Sequence, residues 1–160
     1  MKKILFSLLT VGLATFSFAQ TKVADVAKFK AEVIDMGKIQ VGNPTTAVFQ
    51  VQNIGKTPLI IEAANPTCGC TIGDYTKSPI THGKNGEIKA TYNAAGIGVF
   101  EKHLTVKFAG VDEIKSITIK GEVLSAEDFA KLPAGKQKIK VAPASTKKVK
   151  VAKAATAKTK

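Results

Sequence analysis

The sequence predicts an all-β fold, an antiparallel sandwich of six to eight short strands across residues 29–124, and three observations predict it. Apolar residues between Phe29 and Leu124 recur mostly with a period of two. Clusters of Gly, Asn and Pro separate these runs at short intervals. No amphipathic helical pattern intervenes.

The strands read as follows. Phe49 and Val51 alternate with Gln50 and Gln52; Ile88, Ala90 and Tyr92 alternate with Glu87, Lys89 and Thr91. Leu104, Val106 and Phe108 alternate with His103, Thr105 and Lys107, and Ile117, Ile119, Gly121 and Val123 with Thr118, Lys120 and Glu122. Such alternation places one apolar face inward on each strand. Leu59-Ile60-Ile61 is a continuous apolar run with two β-branched residues, bounded by Pro58 and Pro66. Turns are expected at Gly42-Asn43-Pro44, Asn53-Ile54-Gly55, His82 to Gly86 and Ala109-Gly110, where Gly, Asn or Pro supplies the unusual φ.

The flanks have their own character. Lys2 and Lys3 precede an apolar run, Ile4 to Phe18, that ends in Ser17-Phe18-Ala19, so residues 1–19 read as a signal peptide cleaved after Ala19. The run is short of the roughly 20 apolar residues that a spanning helix needs, and Ser7, Thr10, Thr15 and Ser17 dilute it. An exported protein, periplasmic or extracellular and without a transmembrane anchor, is the expectation. Residues 20–28 form a short lead-in in which Val23, Val26 and Ala27 have helical spacing. Ser125 stands as an N-cap before one helical turn over 125–132, which Pro133 stops.

Residues 133–160 are a Lys/Ala/Thr-rich tail with nine lysines and no acid: Lys136, Lys138, Lys140, Lys147, Lys148, Lys150, Lys153, Lys158 and Lys160. Like charges and the lack of any aromatic anchor predict disorder, or extended segments at most. The tail supplies +9 of the chain's net +12. It suits non-specific contact with polyanions, or it serves only as a solubilising linker. The chain has no arginine, the side chain that grips phosphate bidentately, so sequence-specific nucleic-acid reading is not expected.

Chemistry is sparse. Cys68 and Cys70 are the only cysteines, and an exported setting is oxidising. They read as a disulfide, a metal-binding pair or two unlinked thiols. Cα atoms two residues apart in an extended strand lie about 6.5–7 Å apart, at the edge of the roughly 4.4–6.8 Å that a disulfide spans. A bridge therefore needs a turn, which Gly69 permits. Its tiny loop would stabilise the fold little and be easily reduced. Two thiolates suit a soft metal, with His82 as a further ligand. His103 lies on the polar side of its strand. No nucleophile elbow, zinc-protease helix, phosphate loop or calcium loop is present, and Asp112-Glu113 and Glu127-Asp128 are neighbouring solvated acids. Neither an enzyme nor a cofactor is expected.

Several segments in order, Asp35-Met36-Gly37, Phe49 to Gly55, Pro58-Leu59 and Cys68-Gly69-Cys70-Thr71, resemble one family of exported bacterial domains. Pro79-Ile80, the Gly83–Gly86 turn, Tyr92, Gly98, Phe100 and Gly121-Glu122-Val123 continue the likeness. The family is domain of unknown function 1573, a Hydin-like, immunoglobulin-like module. The family usually has Phe at Met36, often Pro at His82, and a Ser-Asn type turn at Ala109-Gly110. The resemblance implies an immunoglobulin-like β-sandwich and export, and no activity. The resulting expectation is an exported, non-catalytic binding or structural domain whose partner is an envelope protein or polysaccharide. The alternatives are a thiol-redox or soft-metal protein built on Cys68 and Cys70, and a polycationic tether acting through the tail.

Overall fold

A computed structural model describes residues 21–133 and 140–142. The expected signal peptide lies outside the described residues, as do the tail lysines other than Lys140. The chain runs α1 (Val23–Val26), β1 (Ala27–Phe29), β2 (Val33–Gln40), β3 (Thr45–Asn53), β4 (Ile61–Pro66) and β5 (Thr71–Tyr75). It continues through β6 (Asn85–Tyr92), β7 (Gly98–Phe108), β8 (Lys115–Leu124), α2 (Ala126–Ala130) and β9 (Lys140–Ala142).

Two sheets face each other. Sheet one has the order β1-β3-β6-β5 and sheet two the order β4-β7-β8-β2-β9. The all-β sandwich is as expected from the alternation. Among the described residues every strand pairing is antiparallel save one, β2 beside β8, which is parallel. Among the described residues nine strands stand where six to eight were expected, because the three-residue β1 and β9 are too short to show a period. The sandwich also begins earlier than residue 29, since Ala27 pairs with Asn53. Within the tail, Lys140–Ala142 is extended and pairs antiparallel with Val33–Asp35.

The predicted alternation becomes the core. Ala47, Phe49 and Val51 of β3 are buried, as are Ile88, Ala90 and Tyr92 of β6. From sheet two, Leu104, Val106 and Phe108 of β7 and Ile117, Ile119 and Val123 of β8 meet them. Burying each large aliphatic or aromatic side chain is worth about 1.5–3 kcal/mol. Phe29 and Phe108 meet edge to face at 6.2 Å, and Tyr92 stacks on Phe100 at 4.2 Å. The run 59–61 is not continuous in its burial: Leu59 and Ile61 point inward and Ile60 outward. Leu59 bridges Ile80 outside the named strands.

β2 escapes the period because it bulges. Ile34 and Met36 are buried, then the register slips between Asp35 and Lys38, and Ile39 is the next buried residue. Gly37 sits in the slip at φ 68°, a left-handed conformation that glycine takes without Cβ strain. The Asp35 side chain accepts the Gly37 N–H at 2.8 Å.

Both predicted helical fragments form. Ser125 caps α2, its Oγ accepting the Asp128 N–H at 3.1 Å, while its own hydroxyl donates to the Asp128 carboxylate at 2.9 Å. That hydroxyl, with Lys131 beside it, holds the Asp128 carboxyl below its ordinary value. A depressed folded pKa means stability present above the unfolded pKa and lost as pH falls through the folded one. Ser125→Ala is therefore expected to raise the Asp128 pKa, read by NMR titration of its carboxyl carbon. An unmoved titration would show that Lys131 alone sets it.

Candidate functional site

Strand direction gives the sandwich two ends, and the cysteines lie at one of them. β4 arrives at this end and β5 leaves it, so residues 67–70 carry the chain from sheet two to sheet one. The Thr71 N–H closes on the Cys68 carbonyl at 3.4 Å. This turn draws the two Cα atoms to 5.4 Å, inside disulfide range, and Cys68 and Cys70 are bridged. Gly69 is not in the left-handed region, and a Cβ there would meet nothing within 4 Å. The turn thus forms without the conformational freedom that glycine offers.

The turn is knitted to its neighbours. The Asn93 N–H donates to the Cys70 carbonyl at 3.1 Å, and the Gly42 N–H donates to the Ala94 carbonyl at 2.9 Å. Ala94, buried at φ 52°, is the one non-glycine residue in the left-handed region among those described. The β2–β3 turn, the cysteine turn and the β6–β7 loop therefore form one hydrogen-bonded rim. Both cysteines are half-buried, and Cys70 packs against the core. Thr71 is 3% exposed, with Oγ1 3.7 Å from the Cys68 sulfur.

The proposed metal set does not assemble. His82 lies in the β5–β6 connection at the opposite end, the length of β6 away from the cysteines, where its Nδ1–H donates to the Gly55 carbonyl at 2.7 Å. The pairing of β5 with β6 fixes that separation. His103 is nearer, since its carbonyl accepts the Thr67 N–H at 3.0 Å. Its ring turns instead along sheet two, with Nδ1 2.9 Å from the Thr118 hydroxyl and Nε2 3.7 Å from Glu101. Among the described residues no group of three metal-ligating side chains converges.

Sequence reasoning missed the apolar residues of this rim. Ile72 is 70% exposed at the start of β5, Ile97 is 67% exposed in the β6–β7 loop, and Val99 is 86% exposed at the start of β7. The available signal was Gly96-Ile97-Gly98, an aliphatic residue held between two glycines in a loop. Thr71 was missed as well, because a threonine after a cysteine reads as ordinary strand composition. A shallow depression of about 550 Å³ opens beside this end on the outer face of sheet two. It is lined by the β2 bulge, Val99, Phe100 and Gly121, with Lys38 and Glu122 paired at 3.2 Å. Among the described residues no helix is long and apolar enough to cross a membrane.

Comparison with known proteins bears on the fold. A crystal structure of a protein of unknown function from Porphyromonas gingivalis W83 is similar, at a TM-score of 0.54 and 18% identity. The match covers 66% of this chain, which spans 51% of that protein's length. The human CEP192 ASH/PapD-like domain 7 is similar at a TM-score of 0.51 and 12% identity, over 78% of this chain and 99% of that one. At these identities the likeness is one of fold. No curated protein matches the sequence. The profile of the family described as protein of unknown function (DUF1573) matches residues 27–123, from the first strand through nearly all of the eighth. The chain belongs to the DUF1573 family.

Proposed function

We propose that this protein is an exported binding or structural domain of the bacterial cell envelope, docking through the end of the sandwich that carries the cysteine turn. The observation that carries this reading is the exposure of Ile72, Ile97 and Val99 at that end. Large aliphatic side chains so open to water are costly to solubility, and at a loop rim they suit contact with a partner. Loops at one end of a rigid sandwich are also where such folds place recognition, since the sheets hold the loops still. The signal-like N-terminus supports the exported setting, and the lysine-rich tail adds general attraction to anionic envelope polymers.

The test compares protein beginning at Gln20 with an Ile97→Ser, Val99→Ser double variant, each immobilised and exposed to envelope extract. A component retained by the wild type and lost by at least tenfold from the variant is the expected result. Equal retention by both would remove this rim as the docking surface. Both positions face solvent, so the variant should unfold at the same denaturant concentration as the wild type.

A further inference from the structure

We propose that the Cys68–Cys70 bridge is a thiol–disulfide exchange site for reduced cysteine pairs of polypeptides, with Thr71 as the residue that positions and stabilises the leaving sulfur. The proposal does not rest on the docking reading above; either stands if the other fails.

Four observations lead here. First, the bridge closes a loop of one intervening residue, the arrangement that constrains an unfolded chain least, so it is a poor staple. Second, it sits in an exposed turn between edge strands, with both cysteines half-buried and thus within reach. Third, the glycine between them is required neither by its φ nor by packing. What a side chain at position 69 would do is stand over the solvent side of the turn, and glycine leaves that approach open. Fourth, the nearly buried Thr71 hydroxyl has the Cys68 sulfur as its hydrogen-bond partner among the described residues. Disulfide sulfur is a weak acceptor, whereas a thiolate is a charged one. Opening the bridge therefore strengthens the bond that Thr71 donates, which favours the reduced state.

The two sulfurs are not equivalent. Cys70 packs against the core and its carbonyl is held by Asn93, so it stays in place. Cys68 has the hydroxyl that stabilises departing charge. A substrate thiolate attacks the Cys70 sulfur, the S–S bond breaks, and the electron pair leaves on Cys68. The substrate's second thiolate then attacks its own sulfur in the mixed disulfide. This expels Cys70 as a thiolate, and both protein sulfurs take up the protons that the substrate thiols released. The substrate dithiol is oxidised to a disulfide and the protein's bridge is reduced to two thiols. A second disulfide, of a small thiol such as glutathione or of a protein, restores the bridge by the same exchange. Ile72, two residues beyond Cys70, and Ile97, on the loop that Cys70 holds, offer apolar contacts to an unfolded chain.

The experiment equilibrates the oxidised protein with glutathione buffers of graded ratio, quenches with acid, alkylates, and reads intact mass. Two alkyl groups should appear while far-ultraviolet circular dichroism still reports the native sheet. A reduced dithiol peptide should emerge oxidised from incubation with the protein. Thr71→Val keeps the shape and removes the hydroxyl, and is expected to shift the reduction equilibrium about tenfold toward the bridge. Thr71→Ser should restore it. A wild-type bridge that takes no label until the protein is denatured would overturn the proposal. So would a Thr71→Val protein that is folded and titrates with glutathione like the wild type.

Discussion

Gly73→Ala is expected to lower the folding stability by about 3 kcal/mol, the upper part of the range for inserting atoms where there is no room. β5 is the edge of sheet one and β4 the edge of sheet two, and the two cross directly after the cysteine turn. At the crossing, a Cβ on Gly73 would overlap the Ala64 carbonyl oxygen, with the Leu104 side chain 3.5 Å away on another side. The obstacle is backbone, and Ala64 is held in register opposite Val106, so it cannot swing aside as a side chain does. Relief requires the edges to part, which also breaks the bond from the Tyr75 hydroxyl to the Glu62 carbonyl at 2.5 Å. Urea unfolding should show the midpoint falling by about 2 M. A wild-type midpoint would mean that these edges separate freely.

Asn53→Ala is expected to cost about 3–4 kcal/mol, by the loss of a fully buried polar hub. The Asn53 side chain donates to the Thr57 carbonyl at 2.8 Å and the Ile80 carbonyl at 2.7 Å, and accepts the Gly55 N–H at 2.9 Å. Its backbone adds bonds to Gly83 and Lys84. One amide thus ties the end of β3 to two loops far apart in sequence. Alanine leaves two carbonyls and an amide proton without their partner beside a side chain that is 0% exposed, and the desolvation cost then falls on the folded state. The same urea titration reads the loss, and hydrogen exchange at Gly55 should accelerate with it. A variant with unchanged exchange would show that the loop holds itself.

These two positions show what the sequence reveals and what it hides. Strands β3, β6, β7 and β8 are legible because each buries every second side chain, and period two is a one-dimensional property. β2 is hidden because the bulge at Gly37 breaks the period between Met36 and Ile39. β5 is hidden because its polarity is reversed at Ile72, which faces water while glycine faces the neighbouring edge. Asn53 reads as a turn residue, but it is the last residue of β3, and its burial depends on loops that arrive 27 residues later.

The same distinction applies at the candidate site. That Cys68 and Cys70 need a turn to bridge follows from backbone dimensions alone, and the turn is there. That His82 is remote from them follows only from the direction of β6, which sequence spacing does not reveal. The Thr71 hydroxyl acquires its meaning from burial, which no local pattern announces. The exposed rim is a property of three segments that meet only in the fold.

The parallel pairing of β2 with β8 sets the order in which the chain can fold. Val33 finds its register against Thr118, and Ile39 against Val123, so the second strand waits for almost the last part of the domain. Contacts this distant in sequence must overcome the entropy of a long loop before they return any stability, and folds dominated by them take milliseconds to seconds. Sheet one closes sooner, because β3 pairs with β6 and β6 with β5 once residue 92 is available. A chain emerging from its N-terminus therefore holds its early apolar strand unpaired until about residue 124 has followed. The second sheet is therefore complete in its centre only when the eighth strand arrives.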